Sequence, residues 1–348
     1  MDHLLARHAD CLFWLGRYIE RAASLSRVLM VQTAFDRGRA GGAGWAWILA
    51  LYDESKPFLE RYGETSAENV IDYYLADREH GGSIASSIMA ARDNARALRA
   101  MISTDFWMQI NRLHKRVATF DTQARSEKRL AQTCEKLQTD CYALLGTAEA
   151  TFYRDAGWRF FRMGVEIERA DQMSRLLDVR FAQLKTGTAD RGDAMGDFAF
   201  WSVLLRACGG HHAYRRTVVG PMQPETVARF LIFDQSFARS LGHSVHAIER
   251  LANELRSVCY LSTPPSVLER IESLRGLLDL AAQEPGFIGH LHDMNDALQR
   301  RLADLTGQLG RTYFKQSDPE EPVAVEEDGA PVDAPAATQT QSQTQSLD

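Results

Sequence analysis

The sequence predicts an all-α protein, and three observations lead to that prediction. Apolar residues recur at steps of three and four along most of the chain, no segment alternates apolar and polar residues over the length of a strand, and the few prolines before residue 316 fall between the periodic segments. The 348 residues are 45% hydrophobic, enough for one large core or two smaller ones. We therefore expect a helical bundle.

The periodicity predicts which face of each helix is buried. Ser83 follows two glycines and precedes one of these helices, so we expect it to be the N-cap. The three clearest apolar stripes are Leu12, Leu15, Ile19, Ala22, Ser26 and Leu29; Ile84, Ile88, Ala91, Ala95, Leu98 and Ile102; and Leu241, Val245, Ile248, Ala252, Leu255 and Cys259.

An internal repeat is the strongest signal in the sequence. Residues 13–31 (FWLGRYIERAASLSRVLMV) and 161–179 (FRMGVEIERADQMSRLLDV) match at ten of nineteen positions without a gap. Further matches follow in the same order, first 70–99 with 227–256 and then 137–152 with 298–313. We therefore predict two diverged tandem copies of one multi-helix unit, at residues 5–156 and 157–315.

A different composition begins at residue 316. The segment 316–348 is rich in Pro, Ala, Glu, Thr and Gln and carries eight acidic residues after Ser317, without a Lys or Arg. It buries too little apolar surface to offset the entropy of ordering, so we predict a disordered acidic tail. The chain carries a net charge of -6, and without this tail it is close to neutral. That balance argues against a nucleic-acid-binding protein.

The cysteines and the hydropathy indicate the cellular compartment. Five scattered cysteines, none in a C-x-x-C pair, are typical of reduced thiols in the cytoplasm. The N-terminal segment is charged throughout and is not a secretory signal, and no stretch approaches the ~20 apolar residues needed to span a bilayer. We expect a cytoplasmic protein without a membrane partner.

The repeated I-E-R-A motif is the first candidate site. It places Glu20 and Glu168 beside the apolar stripes, each with an arginine about two turns further on, Arg27 and Arg175. One interpretation is a structural network, in which the glutamates pair with arginines across a packed helix interface. The other is a polar pocket between the copies that holds a ligand, with either glutamate as a candidate catalytic base.

A line of arginines in the first copy is the second candidate site. Arg92, Arg96 and Arg99 step by four and three, so they share a helix face, where guanidinium forks suit a carboxylate or a phosphate. The alternative is that they pair with the acids of the neighbouring I-E-R-A helix. Glu249 and Asn253 match Arg92 and Arg96 in the second copy, so the basic line belongs to the first copy alone.

No pattern predicts a metal or a cofactor in this chain. His243, His246 and Glu249 share a helix face, but a di-metal bundle needs the order E-x-x-H and carboxylates from several helices. His211 and His212 stand near a predicted helix end and are expected to be solvated. The phosphate-loop, dinucleotide and nucleophile-elbow motifs are absent from the sequence.

Four motifs, taken in order, resemble the bacterial alpha-E family of helical proteins over residues 5–315. They are LFWLGRYIERAASLSRVL, AARDNARALR, IERADQMSRLLDVR, and FWSVLLRACGGHHAYRR followed by VARFLIFDQSFARSL. One departure is visible, because Val165 stands where the first copy has Arg17. The site positions that the resemblance implies are Arg17, Glu20, Arg21, Arg92, Asn94, Arg96, Glu168, Arg169, Arg175, Trp201, Arg206, Tyr214 and Arg215.

The resemblance also implies a function. Alpha-E proteins are typically encoded beside circularly permuted ATP-grasp proteins and transglutaminase-like proteins, and some are fused to the former. ATP-grasp enzymes activate carboxylates as acyl phosphates and join them to amines, so ATP and Mg would be bound on that ligase. The implied role is a non-catalytic helical partner of the ligase, with a transglutaminase-like protein as a second candidate partner.

Two alternatives stay open at this point. The chain is an enzyme in its own right, an amide-forming catalyst or acyl transferase that uses Glu20 or Glu168 in an arginine-lined pocket. Otherwise it is a plain scaffold or oligomerisation module. The enzyme alternative requires carboxylates that are open to a cleft, whereas the structural network requires them to be sealed in the interface.

Overall fold

Two long helices, α1 (Ala6–Asp36) and α9 (Ala156–Lys185), lie side by side in the middle of the fold. Ion pairs between them join residues that are 147, 149 and 151 apart, and this nearly constant separation means that the helices run parallel. The computed structural model describes residues 4–36, 42–120, 122–185 and 194–315, and in these ranges it contains helices and no strand. The all-α prediction is therefore confirmed.

A bundle of four helices is built around α1. The helices α5 (Ile84–Ala97) and α8 (Glu127–Thr151) pack on α1, and α6 (Thr104–Ala118) packs on both of them. Shorter elements connect them, namely η1 (Gly42–Trp45), α2 (Ala46–Leu51), α3 (Ser55–Tyr62), α4 (Ala67–Leu75) and α7 (Thr122–Arg125).

The same arrangement recurs around α9. The helices α13 (Leu241–Ser257) and α15 (Leu291–Leu309) pack on α9, and α14 (Pro265–Gln283) packs on both. The remaining elements are α10 (Ala194–Ala207), α11 (His211–Thr217), α12 (Pro224–Phe233), η2 (Phe287–His290) and the π-helical turn η3 (Gly310–Phe314). The two bundles belong to one compact unit, and the predicted tail 316–348 lies outside the described residues.

The apolar stripes form the core. Every stripe residue named above is buried except Cys259, which is half-buried. Ser83 caps α5 as predicted, since its Oγ accepts a hydrogen bond from the backbone N–H of Ser86 at 3.0 Å. Ser240 caps α13 in the same way, accepting from the backbone N–H of His243 at 3.0 Å.

Two glycines allow α1 and α9 to approach each other closely. A Cβ atom on Gly16 would collide with the carbonyl oxygen of Phe161, and one on Gly164 would collide with the carbonyl oxygen of Phe13. The two contacts are reciprocal, as an approximate twofold relation between the helices would make them. Only glycine, which has no side chain, fits such a crossing.

The hydropathy of the helices and the state of the cysteines can be read from the structure. None of the described helices has the length and apolar character needed to cross a membrane. All five cysteines are free thiols, and Cys134, Cys141 and Cys208 are buried packing residues.

Candidate functional site

Glu20 and Glu168 lie in the interface between α1 and α9, and neither side chain is exposed to solvent (0% for both). Nε of Arg169 donates to Oε2 of Glu20 at 3.1 Å. In the reciprocal contact, Nε and Nη2 of Arg21 donate to Oε1 and Oε2 of Glu168 at 2.8 and 3.0 Å. The repeated Glu-Arg pair therefore bridges the two bundles twice.

Each buried glutamate has a second arginine, and here the two halves differ. Nε of Arg17 donates to Oε2 of Glu168 at 2.9 Å, whereas α9 carries Val165 at the equivalent position. Glu20 instead accepts a hydrogen bond at 2.6 Å from Nη1 of Arg239, which precedes α13. Val165 carries no charge, so the second positive charge beside Glu20 comes from Arg239, outside α9.

A third buried carboxylate, Glu166, was not singled out by the sequence patterns. Its Oε1 accepts from Nη2 of Arg162 at 2.7 Å and from Nη1 of Arg169 at 3.0 Å. Its Oε2 accepts from the hydroxyl of Ser244 at 3.3 Å. Arg169 thus joins two carboxylates, and the central network extends from α1 through α9 to α13.

The electrostatics of this network argue against a catalytic base. Burial raises the pKa of Glu20 and Glu168, but the arginines around each carboxylate more than offset that effect and hold both pKa values at about 2. A carboxylate with so low a pKa, sealed from solvent, accepts a proton poorly near pH 7. The condition set for the enzyme alternative is not met, and the geometry is that of the structural network.

The arginine line of the first copy connects α5 to α6. Nε of Arg92 donates to Oδ1 of Asn111 at 3.0 Å, and the guanidinium of Arg99 lies 5.2 Å from the ring centroid of Trp107. Arg96 is 66% exposed. The expectation that these arginines pair with acids of the I-E-R-A helix is wrong, because Arg92 and Arg99 contact α6, and Arg96 lies 3.4 Å from Asp93 of its own helix.

Other predicted site residues lie in separate places. Arg175 donates to Oδ2 of Asp171 at 3.0 Å, within its own helix. Asn94 is half-buried on α5. Tyr214 is buried, with its hydroxyl 2.7 Å from the hydroxyl of Thr226, so it supports α11 and α12 rather than facing a ligand. Trp201 is buried as well.

A cleft of about 850 Å³ brings the last group of predicted residues together with residues that the sequence patterns did not reveal. We call it the basic cleft. Its walls come from α1, α8, α10, α11 and the turn between α10 and α11, and its described lining contains three arginines and two histidines but no carboxylate. The lining residues are Arg27, Met30, Val31, Ala34, Gln138, Tyr142, Ser202, Val203, Arg206, Gly209, His211, His212 and Arg215.

Arg27 occupies the buried end of the basic cleft, with 5% of the residue exposed. Its guanidinium donates to the carbonyl of Ala207 at 2.9 Å, to the hydroxyl of Tyr142 at 2.8 Å and to the hydroxyl of Ser24 at 3.1 Å. These partners are neutral. Burial and the nearby Arg239 lower the pKa of Arg27 to about 10, so it still carries its charge at pH 7.

Two buried polar atoms in the basic cleft have no partner. They are Nε2 of His211 and Nε2 of Gln138, and neither has a hydrogen-bond partner among the described residues. Burial, followed by Arg206, Arg215 and His212, lowers the pKa of His211, so its imidazole is neutral near pH 7. His212 is exposed as expected, whereas His211 is half-buried and only its Nε2 is sealed from solvent.

One group of side chains lies close enough to share an ion, among the residues that the structure describes. Nδ1 of His292 is 2.7 Å from Oδ1 of Asp178. One ligand atom from each of His292, Asp178 and Asp296 lies within 4.8 Å of the other two. Asp178 belongs to α9 and the other two to α15. His292 and Asp296 are exposed, and the hydrogen bond to Asp178 already engages the imidazole.

Comparisons with known proteins agree with the central position of the Glu-Arg pairs. Residues 4–314 match the model of the Alpha-E family, described as "a predicted alpha-helical domain with a conserved ER motif". Glu20–Arg21 and Glu168–Arg169 fit that description. No solved structure matches the chain.

Two similar proteins are an uncharacterized protein of Mycobacterium bovis and an uncharacterized protein of Mycobacterium tuberculosis. Each is 26% identical to this chain over 267 residues, which cover 71% of this chain and 29% of the relative. The match thus spans less than a third of the length of these curated relatives. Because the family model covers nearly the whole described chain, the protein belongs to the Alpha-E family.

Proposed function

We propose that this protein is a helical accessory component of an ATP-grasp-linked system that forms peptide or amide bonds. It binds the ligase or the ligase's substrate through the basic cleft. The observation that carries the proposal is the concentration of positive charge from Arg27, Arg206 and Arg215 in a cleft whose described lining has no carboxylate. ATP-grasp ligases handle carboxylates and acyl phosphates, and these are the anions that guanidinium groups bind best.

The central network supports a role for this chain in binding rather than in catalysis. Glu20 and Glu168 are fully buried and paired, so the candidate catalytic carboxylates of this chain are engaged in holding α1 against α9. The chemical step then belongs to the ligase, which also binds ATP and Mg. In this proposal the chain contributes binding and positioning of an anionic group.

The mycobacterial relatives supply further support. In those proteins the matched region is 29% of a much longer polypeptide, so there the Alpha-E unit is covalently joined to other sequence. Covalent linkage raises the effective concentration of one unit for another, as expected for units that act on the same substrate. The family resemblance points to a circularly permuted ATP-grasp protein as the functional neighbour, with a transglutaminase-like protein as the second candidate.

Co-purification tests the proposal. The tagged chain is co-expressed with a circularly permuted ATP-grasp protein from the same genome, and complexes are analysed by size exclusion without nucleotide, with ADP and with ATP. We expect a near-stoichiometric complex in at least one of these conditions. Absence of a complex in all three contradicts the proposal.

Variants identify what occupies the basic cleft. If Arg206→Glu with Arg215→Glu abolishes the complex, the ligase itself docks in the cleft. If the complex persists, the cleft is left for the substrate. Arg300→Glu is the matched control, because Arg300 is an exposed arginine of α15 that does not line the cleft.

A further inference from the structure

The basic cleft contains polar atoms that a folded protein rarely leaves unpaired. Nε2 of Gln138 on α8 and Nε2 of His211 on α11 are buried and have no hydrogen-bond partner among the described residues. A buried polar atom without a partner costs free energy, and native structures contain few of them. Two such atoms in one cleft are hydrogen-bonding groups available to a bound molecule.

We infer that the basic cleft is a binding site for a small organic acid, a carboxylate or phosphate that also carries an apolar group. The inference rests on the proposed function, since it names the substrate class of the same cleft. It commits to a small molecule as the occupant, rather than to the ligase.

The positive charges define the anionic end of this ligand. Arg206 and Arg215 are exposed on α10 and α11, and both act electrostatically on His211, so they converge on one part of the cleft. Arg27 adds a third guanidinium at the buried end, where its direct hydrogen-bond partners are neutral. Guanidinium groups bind carboxylate and phosphate oxygens through paired N–H donors.

The remaining lining defines the apolar end. One apolar wall lies on α1 and consists of Met30, Val31 and Ala34. Val203 lines the same cleft from α10. An inorganic anion would leave this wall unused, whereas an acid with an aliphatic or aromatic group would bury it. The volume of about 850 Å³ lies within the range of small-molecule sites, roughly 300–1,000 Å³.

Calorimetric titration of the full chain tests the inference with four probes. They are 4-methylpentanoate, its neutral isostere 4-methylpentanamide, acetate, and isopentyl phosphate. We expect 4-methylpentanoate or isopentyl phosphate to bind saturably, and the ratio of their affinities tells which anion the cleft prefers. The amide lacks the charge and acetate lacks the apolar group, so each should bind about tenfold more weakly or worse.

Three variants separate a specific site from a general effect of charge. Arg206→Ala with Arg215→Ala should weaken binding by about tenfold or more, and Gln138→Ala by several-fold. Arg300→Ala, on the surface of α15, should leave the affinity unchanged. Circular dichroism verifies that each variant keeps its helical content, which is expected because Arg206 and Arg215 are exposed.

Two outcomes overturn the inference. One is the absence of saturable binding of both organic anions at millimolar concentration. The other is binding that the double arginine variant leaves unchanged. The titration uses this chain alone, so its failure leaves the association with the ligase standing, and a failed co-purification leaves ligand binding standing.

Discussion

Nη1 of Arg239 lies 2.6 Å from Oε1 of Glu20, and this ion pair joins two residues that are 219 positions apart. Arg239 directly precedes Ser240, whereas Gly82 occupies the position before the matching Ser83. Each buried glutamate thus has one arginine from the reciprocal Glu-Arg pair and a second from the other half of the chain, Arg17 of α1 for Glu168 and Arg239 before α13 for Glu20. Arg239 also lies near Arg27, so the Glu20–Arg239 ion pair connects the central network with the basic cleft.

Removal of one buried charge should strongly destabilise the fold. Glu20→Gln removes the carboxylate that Arg169 and Arg239 share, so that among the described residues Arg169 keeps only Glu166 as an ion-pair partner. Breaking a buried ion pair in this way costs about 3–5 kcal/mol. Urea denaturation of wild type and variant measures the difference in unfolding free energy. Glu225→Gln is the control, because Glu225 and Arg229 form an exposed pair worth at most ~1 kcal/mol. Equal losses in the two variants would refute a stabilising role for the network.

The low pKa values of the same carboxylates predict how stability depends on pH. Glu20 and Glu168 have pKa values of about 2 in the folded chain against 4.5 as the ordinary value, so the folded state binds these protons less readily than the unfolded state. Their contribution is fully present above pH 4.5 and is lost as the pH falls toward 2. Unfolding free energies measured across this interval should fall less steeply for Glu20→Gln than for wild type. Identical slopes would show that Glu20 does not titrate as described.

The close crossing of α1 and α9 predicts the effect of adding a single methyl group. Gly16→Ala places a Cβ against the carbonyl oxygen of Phe161 and forces the helices apart, which costs about 1–3 kcal/mol or more. Gly146→Ala on α8 meets no atom within 4 Å and should be neutral, or stabilising by up to ~1 kcal/mol through helix propensity. Thermal unfolding of both variants provides the comparison. A Gly16→Ala variant as stable as wild type would mean that the helices are not in such close contact.

Ligand binding in the basic cleft should depend on pH through His211. In the free chain, burial, the cations Arg206 and Arg215, and the neighbouring His212 keep the pKa of His211 below its ordinary value of 6.5, and the cation Arg27 lines the same cleft. A bound anion offsets these cations, so binding raises the pKa of His211 and takes up a proton.

The affinity for 4-methylpentanoate should therefore increase as the pH falls from about 8 to about 6, a range in which its carboxylate stays ionised. In His211→Asn this increase should be largely absent. A pH dependence that the substitution leaves intact would assign it to another group.

The parts of the fold that depend on local periodicity could be predicted from the sequence. The stripe around Ile19 is buried and Ser83 caps its helix, because each of these features is encoded within a few neighbouring residues. Sealed glutamates were one of two interpretations that the I-E-R-A motif left open. The spacing of Arg92, Arg96 and Arg99 shows that they share a helix face, but it does not show which neighbouring helix that face contacts. The alternative that Arg92 pairs with the I-E-R-A helix is therefore wrong, and Arg92 contacts Asn111 of α6 instead.

The basic cleft could not be predicted, because its lining comes from α1, from α8 and from the consecutive helices α10 and α11, three regions that are distant in the sequence. Arg206 and Arg215 were named through the family resemblance, but Gln138 and His211 were not recognised as site residues. The matched segments contain one signal of the difference between the halves, because Arg239 stands at the position that matches Gly82. Such differences between matched positions distinguish the two halves.

A reconstituted ligation assay tests the proposed function most directly. It combines the circularly permuted ATP-grasp protein, ATP, Mg and a panel of amino acids, with and without this chain, and measures ATP-dependent amide formation. We predict that product formation requires or is strongly accelerated by the wild-type chain, that Arg206→Ala with Arg215→Ala removes most of the acceleration, and that the chain alone gives no product. Equal rates with and without the chain, or amide formation by the chain in the absence of the ligase, would contradict the accessory role.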